Sequence, residues 1–239
     1  MIANFVSSPA ALLLLGPVLM LLLGSVPAAV ALQHPLVVGR LIQAVGLVGL
    51  LSTIAAALLA TLGEATTPVS LVVLGSDTGP IPLALSVLAD SLTFTVLGLV
   101  SLLAAIIARY STNYLAGEAA QGSFFRWLAL TASAFMLVVI AGNMLMFVIA
   151  IMFTGTGLNR LLTYYRDRLP AQMVAHKKLL FSRMADSSLL VAAVLIAASE
   201  GSLSFEAIAA AAEQGDLSWQ LHLAAWLIVA YAVLKSGQF

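Results

Sequence analysis

Four side chains carry the chemistry that this sequence offers: Lys178, Arg183, Asp186 and Lys235. All four lie in or beside long apolar runs. An ammonium or carboxylate at membrane depth is costly, and such groups mark ion pathways, proton relays or paired counter-ions. A buried lysine also shifts its pKa readily, so it can load and release a proton near neutral pH. Lys235 stands in Tyr231-Ala-Val-Leu-Lys235-Ser-Gly-Gln238. It is read as a proton-relay lysine, or as a lysine at a helix end that snorkels to the headgroups. Ser236-Gly237 after it can break a helix and expose backbone, a feature of ion pathways and of ordinary helix ends. Arg183 precedes Asp186 by three residues, so the two can pair on one helix face. Lys178 lies eight residues before Asp186, about two turns away on that face. Together they read as an ionisable relay entering the membrane, or as an ion pair anchoring a helix end.

Other reactive types lead nowhere. There is no cysteine, which excludes disulfides and thiolate chemistry. His34, His176 and His222 show no metal-site spacing, so neither metal nor cofactor is expected. Asp90, followed by Ser91 and Thr93, reads as a helix N-cap. No phosphate-binding or nucleophile-elbow motif is present, and any catalysis is expected on a partner chain.

The elements that hold these groups follow from composition. Of 239 residues, 62% are hydrophobic and 8% charged, with a mean hydropathy of +1.10. A soluble domain is about 25% charged. So few charges cannot clothe this apolar mass in water, which excludes a soluble enzyme, a disordered chain and a nucleic-acid binder. The expected fold is an all-α polytopic membrane protein.

Spans of about 20 apolar residues are predicted over 8–32, 41–62, 90–108, 124–141, 144–162, 182–199 and 219–234. That makes about seven transmembrane helices. The first run is too long for a signal-peptide core and has no basic residue before it. The 124–163 run is too long for one span, and Gly142-Asn143 marks its turn. Residues 69–74 and 80–89, around Gly75-Ser76-Asp77-Thr78-Gly79, predict a short extracytoplasmic β-hairpin-like segment. Phe205–Glu213 reads as a short interfacial amphipathic stretch. Residues 1–89 thus form two N-terminal helices plus the outer hairpin, and 90–239 a core.

On this map Arg40, Arg109, Arg126, Arg160, Arg166, Arg168, Lys177, Lys178 and Arg183 fall on one side. They are nine of the ten basic residues. The other side carries Glu64, Asp77, Asp90, Glu200, Glu206, Glu213 and Asp216. The positive-inside rule then places the N-terminus outside.

Several of these residues also carry a resemblance. Asp90-Ser-Leu-Thr, Arg109-Tyr110-Ser111 with Tyr114, and Phe124-Phe125 before a span ending at Asn143 resemble the antiporter-like subunits of respiratory complex I and of Mrp cation/proton antiporters. Lys235-Ser-Gly-Gln-Phe239 resembles the K-S-A-Q-F/L motif of their broken seventh helix. Asn159-Arg-Leu-Leu-Thr-Tyr-Tyr165, Arg166, Lys177-Lys178-Leu, Ser182-Arg183 and Asp186 are similar to the membrane subunit of the Dab inorganic-carbon uptake system. Asn159 stands where that family has His, and Leu179 where it has Phe.

The resemblance implies a proton-conducting membrane subunit of an energy-coupled CO2/bicarbonate uptake complex. It implies a zinc-binding, carbonic-anhydrase-like cytoplasmic partner, with proton or other cation flux through this chain and the 160–183 loop as a docking face. The alternatives are a complex I subunit 5/L-type proton pump subunit and an Mrp-type antiporter subunit. In complex I subunits a span-five glutamate pairs with the span-seven lysine. Counting from Asn143, Met152 holds that place here. A thioether can neither carry a proton nor counter a charge, which favours the Dab-like branch and leaves Asp186 as a candidate partner for Lys235. Superfamily chains continue past the K-S-A-Q motif, so the resemblance implies a fragment of a longer protein.

Overall fold

The computed structural model describes residues 9–62, 69–74, 83–165, 169–213 and 218–236. Helices dominate: α1 (Pro9–Gly24), α2 (Ala28–Gln33), α3 (Pro35–Thr61), α4 (Ser91–Tyr114), α5 (Gln121–Val139) and α6 (Met144–Leu162) are followed by α7 (Leu169–Glu200), α8 (Phe205–Glu213) and α9 (Trp219–Ser236). Strands β1 (Val69–Leu74) and β2 (Leu83–Val87) lie between α3 and α4 and pair antiparallel, with a bulge between Ser70 and Val72. The expected turn at 75–79, Glu64, Arg166, Arg168, Asp216 and the end of the chain from Gly237 lie outside the described residues.

Among the described residues five helices are long and apolar enough to cross a membrane: α3, α4, α5, α6 and the Gln172–Glu200 part of α7. The first predicted span differs from the observed helices. A single helix over 8–32 is replaced by α1, 16 residues long, and the separate short α2. Pro27 is the reason: it lacks an N–H, its ring clashes with the preceding turn, and it holds Val26 away from helical geometry. The 16 described residues of α1 rise about 24 Å.

The sixth predicted span lies within a longer helix. Helix α7 begins at Leu169, not Ser182, and runs for 32 residues. His176, Lys177 and Lys178 therefore sit on a helix and not in a loop. All three are exposed there, so the helix bears its charges on an open face.

Elsewhere the local signals act as expected. Asp90 caps α4, its carboxylate accepting from the Thr93 amide at 2.6 Å. Asn143, expected only to mark a turn, caps α6 in the same way through the Met146 amide at 2.8 Å. Between α5 and α6 the backbone is extended and tied on both sides. The Gly142 amide donates to the Ser86 carbonyl at 2.8 Å, and the Met144 amide to the Leu203 carbonyl at 2.9 Å. A helix end with such partners leaves no orphaned backbone groups in an apolar setting.

Helix packing relies on small residues, as expected where lipid offers no hydrophobic drive. Gly46 on α3 lies against Ala105 and the Ser101 carbonyl of α4, and Gly49 against the backbone of Gly16 on α1. The apolar interior forms two clusters. One gathers Leu13, Met20, Ile42, Leu97, Phe125 and Met136 from the N-terminal helices. The other gathers Met144, Val148, Leu189, Ile196, Leu203 and Ala224 from α6 to α9. The ionisable groups lie at the edge of the second.

Candidate functional site: an ion pair between helices α7 and α9

Three residues one turn apart on α7, namely Lys178, Ser182 and Asp186, form a stripe along one face. Helix α9 packs along α7 and brings Lys235 to that stripe. The Lys235 ammonium donates to Asp186 Oδ1 at 2.7 Å and to Ser182 Oγ at 3.0 Å. Asp186 is buried at 3% exposure, whereas Lys235 keeps 25% of its side chain accessible. The Tyr231 ring, one turn earlier on α9, lies 5.8 Å from the Lys235 nitrogen. Its electron-rich face adds a cation–π contact.

A cavity of about 620 Å³ opens beside the pair. Lys235, Ser182, Lys178, Thr154, Gly155 and Ser236 contribute its polar or small lining. The bonds to Asp186 and Ser182 occupy two of the three ammonium donors of Lys235. The cavity therefore places a second ammonium group, Lys178, in the same enclosure as an ion pair.

Of the four predicted relay residues, Lys178, Asp186 and Lys235 come together. Arg183 does not join them. The predicted Arg183–Asp186 pairing is replaced by Asp186 with Lys235, while Arg183 Nη2 donates to Thr156 Oγ1 of α6 at 3.2 Å. The cause is helical geometry. Three residues advance the helix by about 300°, so the neighbouring helices α9 and α6 can claim one group each.

Two members of the site escaped sequence reasoning. Ser182 is a direct partner of Lys235, and its place at i−4 from Asp186 was the available signal. Gly155 is the other. A Cβ there would lie 3.5 Å from Lys235 Nζ and 3.8 Å from Asp186 Oδ2. Met152, one turn away at the place of the family's acid, packs instead against the second apolar cluster. Helix α6 thus faces the pair with a glycine, and the carboxylate comes from α7. Among the described residues no group of three or more His, Cys, Asp or Glu is placed to hold a metal ion.

Comparison with known proteins bears on this geometry. Residues 141–239 match the family model for NADH:quinone oxidoreductase/Mrp antiporter transmembrane regions. Residues 76–125 match that for the N-terminus of complex I chain 5. A probable inorganic carbon transporter subunit from Halothiobacillus neapolitanus is 49% identical over 158 residues, 66% of this chain and 29% of that protein. Its counterpart from Hydrogenovibrio crunogenus is 32% identical over 114 residues, 47% of this chain and 22% of that one. The chain thus spans less than a third of the length of these curated relatives.

In fold it is similar to the Mrp complex of a Dietzia species, with a TM-score of 0.70 at 22% identity over 95% of this chain and 24% of that one. An archaeal membrane-bound sulfane sulfur reductase gives 0.72 at 13% identity over 97% and 44%. By sequence over 76–125 and 141–239 the chain is thus similar to the antiporter-like subunits of NADH:quinone oxidoreductase and Mrp complexes, and over nearly its whole length it shares their fold.

Proposed function

We propose that this chain is a proton-conducting membrane subunit of an energy-coupled inorganic-carbon uptake complex. The observation that carries the reading is the Lys235–Asp186 pair at the edge of a cavity shared with Lys178. The 49% identity to a probable inorganic carbon transporter subunit supplies the substrate class.

The pair works as a gate for charge. The Lys235 ammonium, 2.7 Å away, compensates the Asp186 carboxylate in its buried place. Separating α9 from α7 removes that support. A path for charge then opens from Lys235 into the cavity that it lines. Lys178 lines the same space and stands between the pair and the open face of α7. Ser182 keeps an oxygen on Lys235 through the exchange and aims the ammonium. Asp186 replaces the acid that complex I subunits carry at the place of Met152, which favours the carbon-uptake branch over a complex I or Mrp role.

In this reading α1 and α9 complete a set of seven membrane crossings, with the β1–β2 ribbon and α8 on the outer side of a bacterial inner membrane. The N-terminus is outside, and the basic half of α7 faces the cytoplasm. There it offers a docking face to a zinc-binding, carbonic-anhydrase-like partner that converts CO2 to bicarbonate, while proton flux through this subunit drives the conversion in one direction.

The test is to express the complete gene with its neighbouring zinc-subunit gene in a host that lacks carbonic anhydrase. Bicarbonate accumulation and growth in air are expected, and Lys235→Ala and Asp186→Asn should abolish both. Absence of accumulation by the unmodified pair would sink the reading. Sodium resistance conferred on a sensitive host would point to an Mrp-type role instead.

A further inference from the structure

A groove of about 510 Å³ runs along the outside of α1, α5 and α6 and is lined almost wholly by carbon. Its walls include Leu14 and Leu21 of α1, Leu130 and Leu137 of α5, and Ile149 and Phe153 of α6. On α6 it reaches from Met146 to Gly157, 11 residues or about 16 Å of helix rise. On α5 it reaches from Trp127 to Leu137, 10 residues or about 15 Å. Both lengths match one leaflet of a hydrocarbon core about 30 Å thick.

The two ends of this groove differ. At the Met146 and Leu137 end the lining is apolar. At the other end stand Trp127 and Thr156, and each carries an arginine. Arg160 lies over the Trp127 ring, 5.4 Å from its centre. Arg183 is bonded to Thr156 at 3.2 Å. Thr156 and Arg160 are four residues apart on α6 and so share a face. Both arginines are exposed, and neither has a carboxylate partner among the ion pairs of the described residues.

Trp127 also forms a wall of a second cavity, about 450 Å³ in volume, just beyond the groove. Arg160, Ser123, Thr163, Tyr164 and Glu118 line that space. The Tyr164 hydroxyl is buried and has no hydrogen-bond partner among the described residues. Burial first, then the Glu118 carboxylate and Tyr165, hold its pKa above the ordinary 10. Tyr164 is therefore a donor at neutral pH that awaits an acceptor.

We propose that this groove and cavity form one binding site for an anionic phospholipid of the adjoining leaflet, the acyl chain lying along α5 and α6 and the phosphate held by Arg160 and Arg183. An apolar slot one leaflet long, with a guanidinium group on each of two residues at one end, has the shape and charge of such a lipid. Guanidinium offers a planar fork of donors that suits phosphate, and basic pockets between membrane helices are recognised headgroup sites. Tyr164 donates to a further phosphate oxygen. Glu118 is the one carboxylate in the cavity lining. Two arginines outweigh it, and it can accept from the hydroxyls of a glycerol headgroup. The site rests on the membrane-spanning character of α5 and α6 and is independent of the transport reading.

Native mass spectrometry of the delipidated full chain, titrated with phosphatidylglycerol or phosphatidylethanolamine of matched acyl chains, tests the site. Phosphatidylglycerol should be retained at least about fivefold more strongly, the weight of one cation beside an anionic surface. Arg160→Gln and Arg183→Gln should each lower its retention about fivefold. Arg160→Lys should keep part of it. Ile149→Trp, which fills the groove without touching the arginines, should lower retention of both lipids. The thermal melt of each variant controls for folding. Equal retention of the two lipids would overturn the proposal, as would glutamine variants that bind like the parent. So would a photo-crosslinker at Ile149 that captures a protein helix and no lipid.

Discussion

Lys235 and Asp186 are 2.7 Å apart, and each has a reason to need the other. A buried carboxylate left without a cation is strongly destabilising, whereas removing both charges can be nearly neutral. Asp186→Ala and Lys235→Met should therefore each lower stability by about 3–5 kcal/mol. The double substitution should cost clearly less than the sum of the two. Thermal unfolding of the detergent-solubilised protein reads all three, and strict additivity would show that the pair is not coupled. Gly155 gives a second test. A side chain there must enter the space beside Lys235 and Asp186, where even a Cβ would lie 3.5 Å and 3.8 Å from their charged atoms. Gly155→Leu should block transport and lower the melting temperature, since even its Cβ would press on Ser182 Oγ at 3.1 Å. These residues differ in how legible they were. Asp186 and Lys235 stand out as charges in apolar runs. Gly155 is one of 17 glycines, and nothing in its local sequence says that it faces an ion pair.

Helix boundaries obeyed local chemistry where a side chain could act on its own backbone. Asp90 and Asn143 are caps by residue type, and both accept from the amide three residues on. Asn143→Ala should cost about 1 kcal/mol, read as a lower melting temperature with unchanged helix content. Close packing of α3 on α4 depends on Gly46, whose missing Cβ leaves room for Ala105. Gly46→Leu should cost about 1–3 kcal/mol by overpacking, with Ala105→Gly in the same chain recovering part of it. Boundaries were misread where apolarity alone was the guide. Pro27 cuts the first run because backbone geometry overrides hydropathy. Helix α7 extends back to Leu169 because a water-facing turn can be helical without being apolar.

Across the whole molecule, charge placement is the strongest statement about sidedness. His176 and Lys177 lie in the basic half of α7, and Glu206 on α8 lies among the acidic residues. The chain has no cysteine, so a single introduced one reports one position. Cysteines at 177 and 206 should react with an impermeant maleimide from opposite sides of the membrane. Position 177 should be reached only in inverted vesicles, and labelling of both from the same side would refute the proposed orientation.

The hydropathy pattern and the spacing of charges were enough to establish a helical membrane protein, its approximate helices and its candidate ionisable residues. These are properties of chain segments, and the cost of placing each residue type in hydrocarbon settles them locally. Which ionisable groups meet is a different matter. Asp186 had Arg183 three residues away on its own helix, yet it bonds to Lys235, 49 residues distant. Arg183 turns to Thr156, and Trp127 comes under Arg160. Those pairings depend on the relative rotation and proximity of packed helices. That rotation is set by the small residues and apolar surfaces of the whole bundle, not by any one segment.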